Sequence, residues 1–141
     1  MRDAIIEILT DHDAASLFAA TGIRMAFVFG SVAHGTATGT SDLDLALYFE
    51  RGFTAMERLH LAGELARSLA KRLPMRVDAV VLNDAGPVLS HEAVIRGQVV
   101  HASHPDEIVE YEGRVRARFE DLRHIQGFYT AEMRERLGLP A

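Results

Sequence analysis

The sequence contains no cysteine. That excludes disulfide frameworks and thiolate metal sites, and it suits a reducing compartment. A chain of 141 residues can bury a full core without such staples. No apolar run approaches the length of a membrane span. The opening segment, MRDAIIEILTDHDAA, carries acids in its first turns and lacks a small-residue cleavage site, so a cytoplasmic protein with no membrane partner is expected. Positive charge is also scarce: 15 Lys and Arg stand against 20 Asp and Glu, for a net charge of −5. The arginines interleave with acids instead of gathering into a stripe. Phosphate contacts supply most nucleic-acid affinity, so duplex binding is disfavoured and a template-copying polymerase is the least favoured of the enzymatic readings. Internal repeats, low-complexity tracts and linkers are missing too, which leaves one domain.

What is present reads as alternating helices and strands. Ile5, Ile6 and Leu9 form a short helical face, and Asp13 is placed to cap a second helix that Gly22 ends. Met25–Phe29 is an apolar run of strand length that stops at Gly30-Ser31, and a Gly, Thr and Ala-rich connection spans His34 to Ser41. Asp42–Phe49 alternates cleanly: Leu43, Leu45, Leu47 and Phe49 share one face, Asp42, Asp44, Ala46 and Tyr48 the other. Thr54-x-x-Glu57 is a capping box, followed by Met56, Leu59, Ala62, Ala66, Leu69 and Leu73 at helical spacing up to Pro74. A third strand, Met75–Leu82, carries Asp78. A turn at Asn83–Pro87, a short helix to Arg96 and a strand Gln98–His101 follow. Ser103-x-x-Asp106 reads as a helix start. The last helix holds a three-four apolar spacing from Ile108 to Leu137, with Gly127 as a soft point.

The chemistry lies in FVFGSVAHGTATGTSDLDL. A buried-type strand ends in Gly30-Ser31, where glycine admits close approach of a ligand and serine offers a hydroxyl and an N–H suited to phosphate. Asp42 and Asp44, two apart on a strand, project from one face, and Asp78 on a neighbouring strand would bring a third carboxylate. Two unit charges at about 4 Å repel by roughly 4 kcal/mol at an effective dielectric near 20. Divalent cations relieve that repulsion, since hard ions take carboxylate and phosphate oxygens together and a metal pair clamps an in-line displacement at phosphorus.

Gly30-Ser31, ten intervening residues and then Asp42-x-Asp44 resembles the signature of the polymerase-β-like nucleotidyltransferases, and within them the minimal nucleotidyltransferase branch. The resemblance implies an α/β (α+β) fold, a small mixed sheet flanked by helices with a long C-terminal helix. It implies one domain over residues 1–141, with a core at about 24–101 and a helical extension at about 105–137. By the same resemblance Gly30, Ser31 and Ser41 would bind the nucleotide, ATP, while Asp42, Asp44 and Asp78 would be catalytic and ligate two Mg²⁺ ions. Many members carry arginine where this chain has His34, which brings less charge to a triphosphate. Branch members include antitoxins that adenylylate a tyrosine of a HEPN-domain ribonuclease toxin. That activity and partner, in a hetero-oligomer or other oligomer, are what the resemblance implies.

Other readings compete. Gly-Ser at a strand end is commonly a turn, Asp42 and Asp44 suit a solvated strand start, and Asp78 suits an ion pair with Arg76. Asp84 is the rival third acid. His101 and His104 invite zinc but lack further ligands at suitable spacing. The C-terminal stripe, with Tyr111, Phe119, Phe128 and Tyr129, either packs on its own core, the favoured expectation, or meets a partner. A small-molecule (aminoglycoside-type) adenylyltransferase and a non-catalytic antitoxin that acts by binding remain as alternative functions.

Overall fold

The computed structural model describes residues 1–140. Two short helices, α1 (Arg2–Leu9) and α2 (His12–Ala20), lead into β1 (Ile23–Phe29). Asp11, not Asp13, caps α2, its carboxylate accepting from Ala14 N at 2.8 Å. A capping side chain precedes the first helical residue and satisfies an N–H two or three residues on, and Asp13 already sits inside the helix. A five-residue helix α3 (Gly30–His34) and a loop connect β1 to β2 (Leu43–Phe49). Then come α4 (Ala55–Ala70), β3 (Val77–Val81), a 3-10 turn at Leu82–Asp84, α5 (Pro87–Val94), β4 (Gln98–Ala102) and α6 (Glu107–Leu137).

The sheet has the order β3-β2-β1-β4; β1 pairs antiparallel with β2 and β4, and β2 runs parallel to β3. It is therefore a mixed sheet, and each face has its own apolar cluster. Ala26 and Val28 of β1 and Leu43, Leu45, Leu47 and Phe49 of β2 pack with α1, α2 and α4. Met25, Phe27 and Phe29, with Ala46, pack with α5 and the first half of α6. The alternation of β2 thus sends its leucines to one cluster and its even-numbered residues to the other face.

Thr54 and Glu57 form the reciprocal capping box of α4. Thr54→Ala should lower stability by about 1 kcal/mol, read as a shift in the urea unfolding midpoint at constant slope. The seam of α4 differs from the expected stripe: Ala62, Leu65, Ala66 and Leu69 are buried, while Met56 and Leu59 are exposed. At about 100° per residue Met56 lies roughly 120° round the helix from Ala62, outside the seam. One other local expectation also fails. Ser103 does not start α6; its hydroxyl donates to Ile23 O at 3.1 Å, and Asp106 precedes the helix without a side-chain cap. The helix runs unbroken through Gly127, as its long apolar spacing requires.

Only Tyr111 and Val115 of α6 are buried, and Phe119 stacks on His91 of α5 with ring centroids 3.8 Å apart. The remainder does not pack on the core: Ile125, Phe128, Tyr129, Met133 and Leu137 are exposed. The expectation that the whole stripe packs inward is therefore corrected for its second half, where α6 has run past the sheet. No helix of the described residues is long and apolar enough to cross a membrane.

Candidate active site

The end of β1 and the start of β2 meet at Phe29 and Asp44, which are register partners. Asp44 is also the register partner of Asp78 across the parallel β2–β3 pair. Asp42, Asp44 and Asp78 share strand parity, so all three belong to the same face of the sheet. Directly after Phe29 the chain turns at Gly30, whose φ is +71°. A methyl group built at Gly30 would overlap Asp44 Oδ2 and stand 3.2 Å from its Cγ. The glycine is thus required twice, by its left-handed backbone and by the carboxylate lying against it.

Electrostatics agree with this placement. The Asp44 carboxyl is held above the usual carboxylate range, first by partial burial and then by the negative charges of Asp78 and Asp42. Asp42 is partly relieved by Arg76, whose Nε stands 3.5 Å from its Oδ1. Arg76 was expected to pair with Asp78, if with any acid. It reaches Asp42 because the two occupy facing positions two residues outside the Asp44–Asp78 pair. Sequence reading placed Arg76 beside Asp78 but missed its pairing with Asp42, although its offset of two from Asp78 was a usable signal of a shared face.

The rival third acid, Asp84, is engaged elsewhere: Arg58 donates to both its carboxylate oxygens, at 2.8 and 3.2 Å. Ser41 closes the connecting loop, its Oγ accepting from Thr38 N at 2.9 Å. His34 lies in α3, where Nε2 stands 3.3 Å from Arg96 O and 4.0 Å from Glu92. His101 stacks on Phe18, and burial lowers its imidazole pKa, the behaviour of a core side chain.

Among the described residues, no three His, Asp or Glu side chains close round one point as a finished metal cage. The three aspartates nonetheless fit a hard divalent cation by donor type and by shared face. An open carboxylate cluster also suits Mg²⁺, which keeps water and phosphate oxygens among its ligands. A cavity of about 690 Å³, lined by Arg24, Tyr48, Arg51, Arg58 and Tyr111 among others, lies at the opposite end of β1 and β2 from these acids.

Comparison with known proteins agrees with this architecture. The curated protein adenylyltransferase MntA of Shewanella oneidensis is 31% identical over 85 residues, which is 60% of this chain and 58% of that protein. The match thus spans under two thirds of the relative's length. A toxin–antitoxin crystal structure with AMP-PNP superimposes with a TM-score of 0.62 at 23% identity, covering 86% of this chain and 94% of that one. The complex of a tri-AMPylated Shewanella oneidensis HEPN toxin with its MNT antitoxin gives 0.59 at 19% identity, covering 97% and 99%. These two likenesses establish a shared fold. The family profile described as polymerase beta, nucleotidyltransferase matches residues 5–106, which include Gly30, the three aspartates and every strand. On that match the chain belongs to the polymerase beta nucleotidyltransferase family.

Proposed function

We propose that this protein is a Mg²⁺-dependent adenylyltransferase that moves AMP from ATP to a tyrosine hydroxyl of a HEPN-domain ribonuclease toxin, and so serves as its antitoxin. The observation that carries the reading is the register pairing of Asp44 with Asp78 beside the Gly30 turn. That arrangement gathers repelling carboxylates where a phosphate chain can approach bare backbone.

Gly30 and Ser31 would receive the terminal phosphates, with Ser41 shaping the loop that leads to Asp42. Asp42, Asp44 and Asp78 would hold two Mg²⁺ ions, which, when bound, neutralise the phosphates and the charge that develops in the displacement. The acceptor oxygen forms a bond to the α-phosphorus as the bond to the bridging oxygen of the β-phosphate breaks. Pyrophosphate leaves, and the acceptor proton passes to a carboxylate, a role we give to Asp78 because it is the most exposed of the three. The apolar line of Tyr111 and Val115 continues as exposed Ile125, Tyr129, Met133 and Leu137, and this is the surface we assign to the partner.

A small acceptor is less well served, since the polar cavity of about 690 Å³ lies at the other end of the sheet from the acids. The test is incubation with the candidate HEPN partner, ATP and Mg²⁺, followed by intact-mass measurement. Additions of AMP mass on the partner are expected. A tight complex without any addition would favour neutralisation by binding, and the absence of both addition and complex would point to a small-molecule acceptor.

A further inference from the structure

The end of the sheet that carries the three aspartates also carries Arg76. Leu43 and Val77 are register partners, and Leu43 N donates to Arg76 O at 2.9 Å. This ladder bond fixes Arg76 opposite Asp42, one step outside the Leu43–Val77 pair and two residues outside Asp44–Asp78. The two adjacent strands therefore present Asp42 and Asp44 on one and Arg76 and Asp78 on the other, all of one parity. Arg76 Nε stands 3.5 Å from Asp42 Oδ1, and the Arg76 side chain is 88% exposed. Its guanidinium makes no other ion pair or side-chain hydrogen bond among the described residues. A side chain so exposed gains little as a stability device, because solvent-screened pairs contribute at most about 1 kcal/mol. Its position, however, gives it a large lever on anything that competes for Asp42.

We propose that Arg76 is the resident counter-ion of the acid cluster, occupying Asp42 while no divalent cation is bound and yielding it when one arrives. The inference rests on the metal-dependent reading above. It makes Arg76 a positioning residue, acting through Asp42. A guanidinium cannot ligate a metal, so its charge opposes the ion that its partner is meant to bind. In exchange it offsets part of the carboxylate repulsion in the empty site, where three negative charges face one positive one. Arrival of the ion then replaces a weak, screened contact with direct carboxylate coordination.

The test is Mn²⁺ binding to the full chain without nucleotide, followed by electron paramagnetic resonance of the free ion. Arg76→Gln should bind Mn²⁺ about three- to tenfold more tightly than wild type, the range expected when one charge is removed several ångströms from a divalent ion in a solvated setting. Arg76→Lys should stay near wild type. Arg51→Gln, at the far end of the sheet, should change affinity by less than about twofold. Melting supplies a second readout. Arg76→Gln should lower the metal-free Tm and enlarge the rise on adding Mg²⁺, whereas a merely structural role would lower Tm equally with and without the ion. Unchanged or weaker Mn²⁺ binding in Arg76→Gln overturns the proposal. Wild type that takes up no Mn²⁺ at all would overturn the metal-dependent reading beneath it.

Discussion

Replacing Asp44 with asparagine should abolish transfer and, without Mg²⁺, make the protein more stable. Asp44 occupies the centre of the acid group, with Asp78 in register across the parallel pair and Asp42 two residues before it. Losing a carboxylate ligand removes several kcal/mol of charge stabilisation, so a fall in turnover of about a thousandfold or more is expected. The stability effect follows from the raised pKa of the Asp44 carboxyl. A carboxyl that binds its proton more tightly when folded contributes stability below its unfolded pKa, and that contribution is lost as pH rises through the folded value. Metal-free wild type should therefore lose stability relative to Asp44→Asn as pH climbs from the acid range to neutrality, the gap being full once Asp44 is ionised. Asparagine keeps the shape and drops the charge, so packing alone does not produce this pH dependence. Melting curves from pH 3 to 8 in chelator, repeated with Mg²⁺, would decide it. A mutant less stable than wild type at neutral pH in chelator would mean that the three carboxylates do not press on one another. Transfer surviving in the mutant would remove Asp44 from the chemistry.

The local parts of this fold were legible because short-range rules govern them. The alternation of Leu43, Leu45, Leu47 and Phe49 required a two-sided strand, and Thr54-x-x-Glu57 marked the start of α4 to the residue. The glycine-serine turn and the Asp-x-Asp spacing marked the stretch where Gly30, Asp44 and Asp78 come together. What sequence could not supply was the pairing between distant segments. Asp78 was expected on a neighbouring strand, but its register with Asp44 is a long-range fact, and a slip of one residue would send it to the opposite face. The same limit hid Arg76 behind Asp78, since only the register reveals that it faces Asp42. Asn83 is a comparable case. It was read as a turn residue, yet its amide accepts from Phe49 N at 2.8 Å and donates to Phe49 O at 3.1 Å. A side chain there stands in for a strand neighbour at the end of β2, an arrangement with no periodic signature. The α6 stripe was legible as a stripe. How far the sheet extends beneath it was not, because periodicity records which residues share a face and says nothing of what covers that face.

Gly30→Ala should cost more than either of its two causes alone, and the loop contains the controls that separate them. Alanine at Gly30 would have to hold φ near +71° and would drive its methyl into Asp44 Oδ2. Gly35 has nearly the same backbone, φ +73°, but a methyl there meets nothing within 4 Å. Gly39 has neither problem: no left-handed φ and open space. Gly39→Ala should thus be close to neutral, and Gly35→Ala should lose about 1–2 kcal/mol for the left-handed conformation alone. Gly30→Ala should lose more than Gly35→Ala, because either the β1 turn or the Asp44 carboxylate must also move. Movement of that carboxylate by about 1 Å is enough to lower turnover roughly a hundredfold, so activity and stability should fall together at Gly30 but not at Gly35. Combining Gly30→Ala with Asp44→Ala tests the collision directly. With the carboxylate gone, the stability deficit of Gly30→Ala should shrink to that of Gly35→Ala. A deficit that stays the same would place the strain in the backbone and remove the close approach of Gly30 and Asp44 from the explanation of the site.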